Sequence, residues 1–293
     1  MVSAAFTAGR VLHPCFDEEA HDSVGRVHLP VARACNIQCN FCDRRVCANL
    51  EIQHPGWTAK VINPEEAAAL VRSLVREHPP DGFVVGVAGP GEPLANEETF
   101  RALSLVHADF PRLTKCVSTN GLLLEEKLQE LIRVGVRALT VTVNAPDATA
   151  GRRIYSWVRY HGVLYRGKEA ASILLERQLR GIKTVLAAGL RLKVNCVLVP
   201  GANDADMPGL ARLLKDAGVP LMNIMPLIPG GRMKNARAPT CDEIRQARDA
   251  CSAYVLQFRR CEQCRADIIR MPRRRNEGTI AHRPGNGTHA HAT

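Results

Sequence analysis

The sequence predicts an α/β protein built on a parallel sheet, and three observations carry that expectation. Six short apolar runs of strand character recur along the chain: "RVHLPVA", "FVVGVAG", "LTKCVST", "VRALTVTVN", "LRLKVNCVLVP" and "LMNIMPL". Amphipathic segments around residues 64–77, 96–109, 124–134, 168–188 and 204–217 lie between them. At 293 residues, the chain is long enough to bury one large core. Repeated strand–helix alternation implies parallel strands joined by right-handed crossovers. An open sheet and an incomplete barrel both satisfy it, and in either one ligands gather at the carboxyl ends of the strands.

Taken in order, the elements carry their own signals. Asn63-Pro64-Glu65-Glu66 offers a cap, a proline for the first helical position and a glutamate to close a capping box. Thr240-Cys241-Asp242-Glu243 starts a final helix in the same way. Side chains alternate across a strand, so each run sorts into two faces. Thr114, Cys116 and Ser118 share one face; Thr140, Thr142 and Asn144 share the next; Lys193 and Asn195 the third. The apolar partners, such as Val117, Val141 and Cys196, then pack on the helices, which puts Cys116 inside and Cys196 outside. Residues 145–166, "APDATAGRRIYSWVRYHGVLYR", are too many for a plain connection and read as a candidate active-site loop. The tail, rich in Gly, Pro, Arg and His, reads as disordered, with His282, His289 and His291 solvated.

Composition narrows the function classes. Apolar residues make up 46% of the chain and aromatics only 4%. The longest apolar runs fall far short of a membrane span, and no secretory leader opens the chain. A cytoplasmic setting is expected, where clustered thiols bind metal or do redox chemistry more often than they form disulfides. The formal net charge is +10, of which the tail from Pro272 contributes +3. Nucleic acid, anionic metal clusters and acidic carrier proteins are all compatible with that charge, but few aromatics and no binding motif accompany it, so nucleic acid is the least expected.

The chemistry is expected at the cysteines, of which there are eleven. Cys35, Cys39 and Cys42 are spaced C-x3-C-x2-C directly after the first strand, and Cys47 follows. Three thiolates on a cubane iron–sulfur cluster leave one iron open for a ligand. This spacing, with Asn40 and Phe41 between the second and third cysteines, resembles the radical S-adenosylmethionine (SAM) superfamily. The resemblance implies a 4Fe–4S cluster on Cys35, Cys39 and Cys42, SAM as its fourth ligand, and a partial (β/α)6 barrel. "AGPGEP" ends the second strand, and Gly89, Gly91 and Glu92 in it are expected to contact SAM, since glycines permit close backbone approach. Ser118, Asn120, Asn144 and Asn195 occupy equivalent strand ends and are expected to share that role. A zinc knuckle or coincidental thiols would be the alternative reading of the motif.

A narrower resemblance covers nearly the whole chain. "HPCFDEEAH", "PVARACNIQCNFCDRRVCAN", "VAGPGEPLAN", "CVSTNGL", "VTVNAPD", "IYSWVRY", "MPLIPG" and "CEQCRAD", in this order, are similar to the NifB family of nitrogenase cofactor biosynthesis proteins, in its short form without a C-terminal carrier-like domain. The resemblance implies an enzyme that fuses two precursor 4Fe–4S clusters with a SAM-derived carbide and an additional sulfur into an eight-iron cluster. By family pattern His21, Cys47 and Cys116 hold one precursor, and Cys15, Cys261 and Cys264 the other. Arg259 and Arg260 beside Cys261 are expected to favour thiolate and an anionic cluster. Iron–sulfur cluster donors, a cofactor carrier or scaffold and an electron donor are the implied partners, with neither nucleic acid nor membrane among them. The implied organisation is a ligand-bearing extension over 1–25, the barrel over 26–230, a helix and C-x2-C extension over 231–271, and a basic tail over 272–293. Two departures stand out: Leu50 follows "CAN" where the family has a glutamate, displaced here to Glu51, and Asp22 follows His21 where a second histidine is common. Cys196, Cys241 and Cys251 read as structural. Another radical SAM enzyme with auxiliary clusters and an organic or peptide substrate, and a non-catalytic iron–sulfur scaffold, are the competing readings.

Overall fold

The structure, a computed structural model, describes residues 12–52, 54–261 and 263–272. The basic tail beyond Pro272, with His282, His289 and His291, lies outside the described residues. From the N-terminus the elements are β1 (Gly25–His28), β2 (Ile37–Cys39), β3 (Arg45–Val46), β4 (Trp57–Thr58), α1 (Pro64–Glu77), β5 (Phe83–Val87), α2 (Glu97–Asp109), β6 (Lys115–Thr119), α3 (Leu124–Arg133) and β7 (Val136–Thr142). They continue with α4 (Ala148–Ile154), β8 (Tyr155–Tyr160), β9 (Val163–Tyr165), α5 (Gly167–Ala187), β10 (Arg191–Leu198), α6 (Met207–Asp216), β11 (Leu221–Pro226), α7 (Cys241–Ser252), β12 (Leu256–Gln257) and β13 (Ile269–Arg270).

The main sheet runs β12-β11-β10-β7-β6-β5-β1-β13. Six strands, β1, β5, β6, β7, β10 and β11, follow one another in parallel, each neighbour reached by a crossover. The ends do not pair: β12 adds in parallel to β11, and β13 adds antiparallel to β1. The result is an unclosed, partial (β/α)6 barrel. Its outer faces, including Val27, Leu29, Val85, Val117, Leu139, Val141, Val194 and Cys196, pack on the helices in one core. Each fully buried side chain of this kind stabilises the fold by about 1.5–3 kcal/mol. Cys196 and Cys251 lie in that core, as expected of structural cysteines, whereas Cys241 is exposed at the start of α7.

Helix starts follow the sequence chemistry. At α1 the Asn63 side chain accepts from Glu66 N while the Glu66 carboxylate accepts from Asn63 N, with Pro64 in the first turn. Thr240 and Glu243 build the same reciprocal cap on α7. Among the described residues no helix is long and apolar enough to cross a membrane.

Residues 145–166 depart from the loop expectation. Asp147 caps α4 by accepting from Thr149 N and Ala150 N, and the aromatic-rich "YSWVRY" then forms β8, folded back on β9. β8 pairs antiparallel with β2, so Ile37 faces Val158 and Cys39 faces Tyr155, with a bulge between Gln38 and Cys39. The length is used to carry a hairpin to the cysteine motif. A second apolar cluster, with Ile37, Ile154, Tyr155, Val158, Leu174 and Val199, fastens it there, and Cys35, Cys39 and Phe41 pack against that cluster.

Candidate active site

The polar faces of the strands enclose a cavity of about 300 Å3, within the size range of ligand pockets. Cys116, Ser118, Thr140, Thr142, Asn144, Lys193 and Asn195 all line it, as the strand alternation predicts. Cys35, Cys39, Cys42, Gly91, Glu92, Asn120, Cys15, Cys261 and Cys264 line the same cavity. Gly89, His21, Cys47 and Glu51 do not.

The motif loop is held from three sides. On one, Asn40 N donates to Ile154 O at 2.7 Å and Asn40 Nδ2 to Arg153 O at 2.9 Å. On the second, Gly231 lies against the loop at φ +51°, where a Cβ would meet the carbonyl oxygens of Asn40 and Cys42 at 2.8 Å, and Arg232 N donates to Asn40 O at 2.7 Å. On the third, "GPGEPLAN" grips the backbone just before Cys35. Asn96 clamps Ala34 in both directions, accepting from its N and donating to its O, each at 2.9 Å. Gly91 N donates to Ala32 O at 2.6 Å, and a Cβ on Gly91 would stand 2.1 Å from Ala34 O. Gly91 therefore serves close backbone approach beside the motif, while Gly89 backs onto Ala266.

Glu92 is buried in the cavity wall. Its carboxylate accepts from the Thr119 hydroxyl, from Asn120 N at 2.7 Å and from Leu94 N at 3.0 Å. Burial pushes its pKa up to about 7 despite these donors. Asn120 in turn donates to Asn36 Oδ1 at 2.7 Å, tying the end of β6 to the residue after Cys35.

Burial raises every thiol of the triad: Cys35 to about 11, where Glu92 adds to the effect, Cys39 with the help of Cys42 and Cys35, and Cys42 against the pull of Arg44. Soft thiols in this number suit iron with one coordination position to spare. Asn144, which lines the cavity, accepts from Val197 N at 2.9 Å through Oδ1, and its Nδ2 is buried with no partner among the described residues. An orphan donor of this kind awaits an acceptor on a ligand. Three thiols and the polar strand ends of Ser118, Asn144 and Asn195 in one cavity fit a cluster with SAM bound to it.

The remaining cysteines divide. Cys15, Cys116 and Cys261 pack against the same apolar patch of Phe16, Ala138, Leu221 and Phe258. Cys264 feels the charges of Cys15 and Cys261, and Arg26 Nη1 approaches its Sγ at 3.5 Å; burial nonetheless pushes the thiol up to about 11. Burial raises Cys15 and Cys116 too, and Lys193 opposes it at both. Lys193 is itself buried; its Nζ donates to Cys15 O at 2.8 Å and lies over the rings of Phe16 and Phe258. Cys116 thus shares one apolar patch with Cys15 and Cys261. His21 is buried against Phe258 and Arg26, outside the cavity lining. Cys47 sits at the end of β3, its N donating to Thr58 O at 2.8 Å. Among the described residues no three His, Cys, Asp or Glu side chains converge on a single metal ion.

Several residues here escaped the sequence reading. Arg259 and Arg260, expected to act on Cys261, are exposed and engaged by Asp249 and Asp22 at 2.8 and 2.6 Å. The cations beside Cys15, Cys116 and Cys264 are Arg26 and Lys193, and alternation along β1, with Arg26 and His28 on the polar face, was the available signal. Asp22 thereby joins the N-terminal segment to the C-terminal one. Arg265 is almost fully buried and donates to Cys47 O, Asn49 O and Ile52 O at 2.9, 3.1 and 2.9 Å, with Asp267 Oδ1 at 2.9 Å completing its fork. It staples the loop after Cys47 to the C-x2-C segment. Glu51 and Leu50 are exposed in that loop.

This architecture and motif are those of the radical SAM superfamily, whose family model matches residues 29–214. Among solved structures, Streptococcus suis SuiB bound to S-adenosylmethionine aligns with a TM-score of 0.55 at 11% identity, over 84% of this chain and 54% of that one. A tagged form of anSMEcpe with bound AdoMet aligns at 0.51 and 14%, over 70% and 52%. At these identities the likeness is one of fold. Within the superfamily the chain belongs to the family of FeMo cofactor biosynthesis proteins NifB. It is 45% identical to that protein from Methanocaldococcus infernus over 88% of this chain and 84% of the relative, and 44% identical to the one from Methanocaldococcus jannaschii over 88% and 85%. The Klebsiella pneumoniae protein is 42% identical over 88% of this chain, which spans 56% of its length.

Proposed function

We propose that this chain is the radical SAM enzyme that builds the eight-iron precursor of the nitrogenase cofactor, joining two 4Fe–4S clusters around a SAM-derived carbide with an additional sulfur. The observation that carries this reading is the lining of one cavity by two sets of thiols, Cys35, Cys39 and Cys42 on the one hand and Cys15, Cys116, Cys261 and Cys264 on the other. The name carried by the relatives supports the same product.

The first set would hold the resident cluster with SAM, which when bound supplies reductive cleavage of SAM to a carbon-centred radical. The protein's part is to bind, orient and exclude. Asn144 Nδ2, Ser118 and Asn195 offer polar contacts to SAM at the strand ends. Glu92 fixes Thr119 and Asn120, and Asn96 with Gly91 fixes the backbone leading into Cys35. The hairpin of β8 and β9 screens the motif from water through Tyr155 and Val158. The second thiol set receives the iron–sulfur substrates, whose negative charge Arg26 and Lys193 offset in a site of low polarity. Delivery by a cluster donor, reduction by an electron donor and transfer to a carrier or scaffold protein belong to this reading.

The test is anaerobic reconstitution followed by SAM addition. The proposal expects 5′-deoxyadenosine, and a protein-bound product that activates nitrogenase lacking its cofactor. SAM cleavage without an activating product, on a chain loaded at both thiol sets, would instead favour an organic or peptide substrate.

A further inference from the structure

The N-terminal segment "HPCFDEEAH" presents two histidines whose rings are set in opposite states. His21 Nδ1 lies 3.0 Å from Pro14 O. The Pro14 carbonyl only accepts and lies nearer Nδ1 than the Arg26 guanidinium does at 3.5 Å, so Nδ1 carries the proton and Nε2 keeps the lone pair, which is the form of imidazole that ligates metal. His13 Nδ1 lies 3.1 Å from Cys15 N. A backbone N–H only donates, so here Nδ1 is the acceptor and the ring proton sits on Nε2. His13 is therefore built as a donor and not as a ligand.

That donor has nothing to give to. His13 is 2% exposed, and its Nε2 is buried with no hydrogen-bond partner among the described residues. Leaving a buried donor unmet costs about 1–3 kcal/mol, a cost rarely carried without an absent acceptor. The ring is also fixed in place. His13 N donates to Asp17 Oδ2 at 2.9 Å, Arg191 grips the Asp17 carboxylate with two contacts of 2.9 Å, and the ring stands edge-on to Phe16 at 4.7 Å. It lines the cavity together with Cys15, Cys116, Cys261 and Cys264.

We infer that His13 is an N–H···S hydrogen-bond donor to the iron–sulfur cluster that Cys15 helps to hold. The inference rests on the proposed function, since it requires a cluster at these thiols. The acceptor is a thiolate or sulfide sulfur, the electron-rich group that such a site brings next to Cys15. A hydrogen bond to cluster sulfur stabilises the more reduced, more negative state, so His13 raises the reduction potential of this cluster.

The test uses the full chain with Cys35→Ala, Cys39→Ala and Cys42→Ala, which removes the SAM cluster from the spectra. This parent and its His13→Phe and His13→Gln derivatives are reconstituted anaerobically, and iron per chain, midpoint potential and exchangeable-proton couplings are measured by redox titration and by resonance spectroscopy in H2O and D2O. Expected are equal iron in all three, a lower potential and the loss of one exchangeable coupling in His13→Phe, and recovery toward the parent in His13→Gln, whose amide supplies both a donor and an acceptor for Cys15 N. Should the phenylalanine variant not fold, a weakened coupling with a shifted potential in His13→Gln carries the inference alone. Parent-like potential and couplings in folded His13→Phe overturn it, and so does loss of a whole cluster in His13→Phe alone, which would make His13 a ligand. A parent that takes up no cluster refutes the proposed function itself, and the inference falls with it.

Discussion

Replacing Gly91 with alanine tests how the barrel sets the cysteine motif. The added Cβ would stand 2.1 Å from Ala34 O, 2.7 Å from Ala34 C and 2.8 Å from Arg33 O. All three are backbone atoms, so no side chain can swing aside, and reaching even 3.0 Å requires the two segments to part by about 0.9 Å. The segment before Cys35 has little room to retreat. It is bound to Gly91 N at 2.6 Å, to Glu92 N at 2.8 Å and to Asn96 by two contacts of 2.9 Å. Overpacking of this sort costs about 1–3 kcal/mol, and each strained hydrogen bond adds about 1 kcal/mol. We expect Gly91→Ala to lose about 3 kcal/mol in urea denaturation of the iron-free protein, equivalent to about 6–12 °C in melting temperature. After reconstitution, SAM cleavage should fall more than the iron content of the second thiol set. A variant with unchanged stability and unchanged SAM cleavage would refute the claim that Gly91 serves close approach to the motif backbone.

Glu92 predicts a pH dependence. Its folded pKa of about 7 lies above the ordinary 4.5, so between those values the folded chain holds more protons than the unfolded one. Its contribution is complete below about pH 4.5 and is lost as the pH rises through 7, to the extent of about 3 kcal/mol. Glu92→Gln should abolish that slope relative to wild type in urea titrations across this window; an unchanged slope would assign the dependence elsewhere. Arg265→Met should cost about 3–5 kcal/mol, because three carbonyls and Asp267 lose a buried partner. Proteolysis of that variant should open first between residues 47 and 52, and cleavage elsewhere would contradict the staple.

Much of this site was legible because strands alternate. Cys116, Ser118, Thr142, Asn144 and Asn195 fell on the cavity face by period alone, and the two capping boxes marked α1 and α7 to the residue. What escaped depends on partners distant in sequence. Residues 145–166 were long for a connection, but only the pairing of Cys39 with Tyr155 shows that they brace the motif. Arg259 and Arg260 adjoin Cys261 in sequence, yet Asp249 and Asp22 draw them outward, and the cations reaching Cys15, Cys116 and Cys264 come from β1 and β10. The state of each histidine ring was equally hidden, since it is set by whether a backbone carbonyl or a backbone N–H faces Nδ1.

The central claim is that one cavity serves a SAM cluster and separate cluster substrates. The most direct measurement is iron content by Mössbauer spectroscopy, alongside SAM cleavage, in wild type, Cys35→Ala and Cys264→Ala after anaerobic reconstitution. The account predicts about twelve irons per chain in wild type, built as 4Fe–4S clusters. Cys35→Ala should lose all SAM cleavage, whereas Cys264→Ala should keep part of it and form no eight-iron product. A wild-type chain that binds only about four irons, or two variants that lose both activities alike, would contradict it.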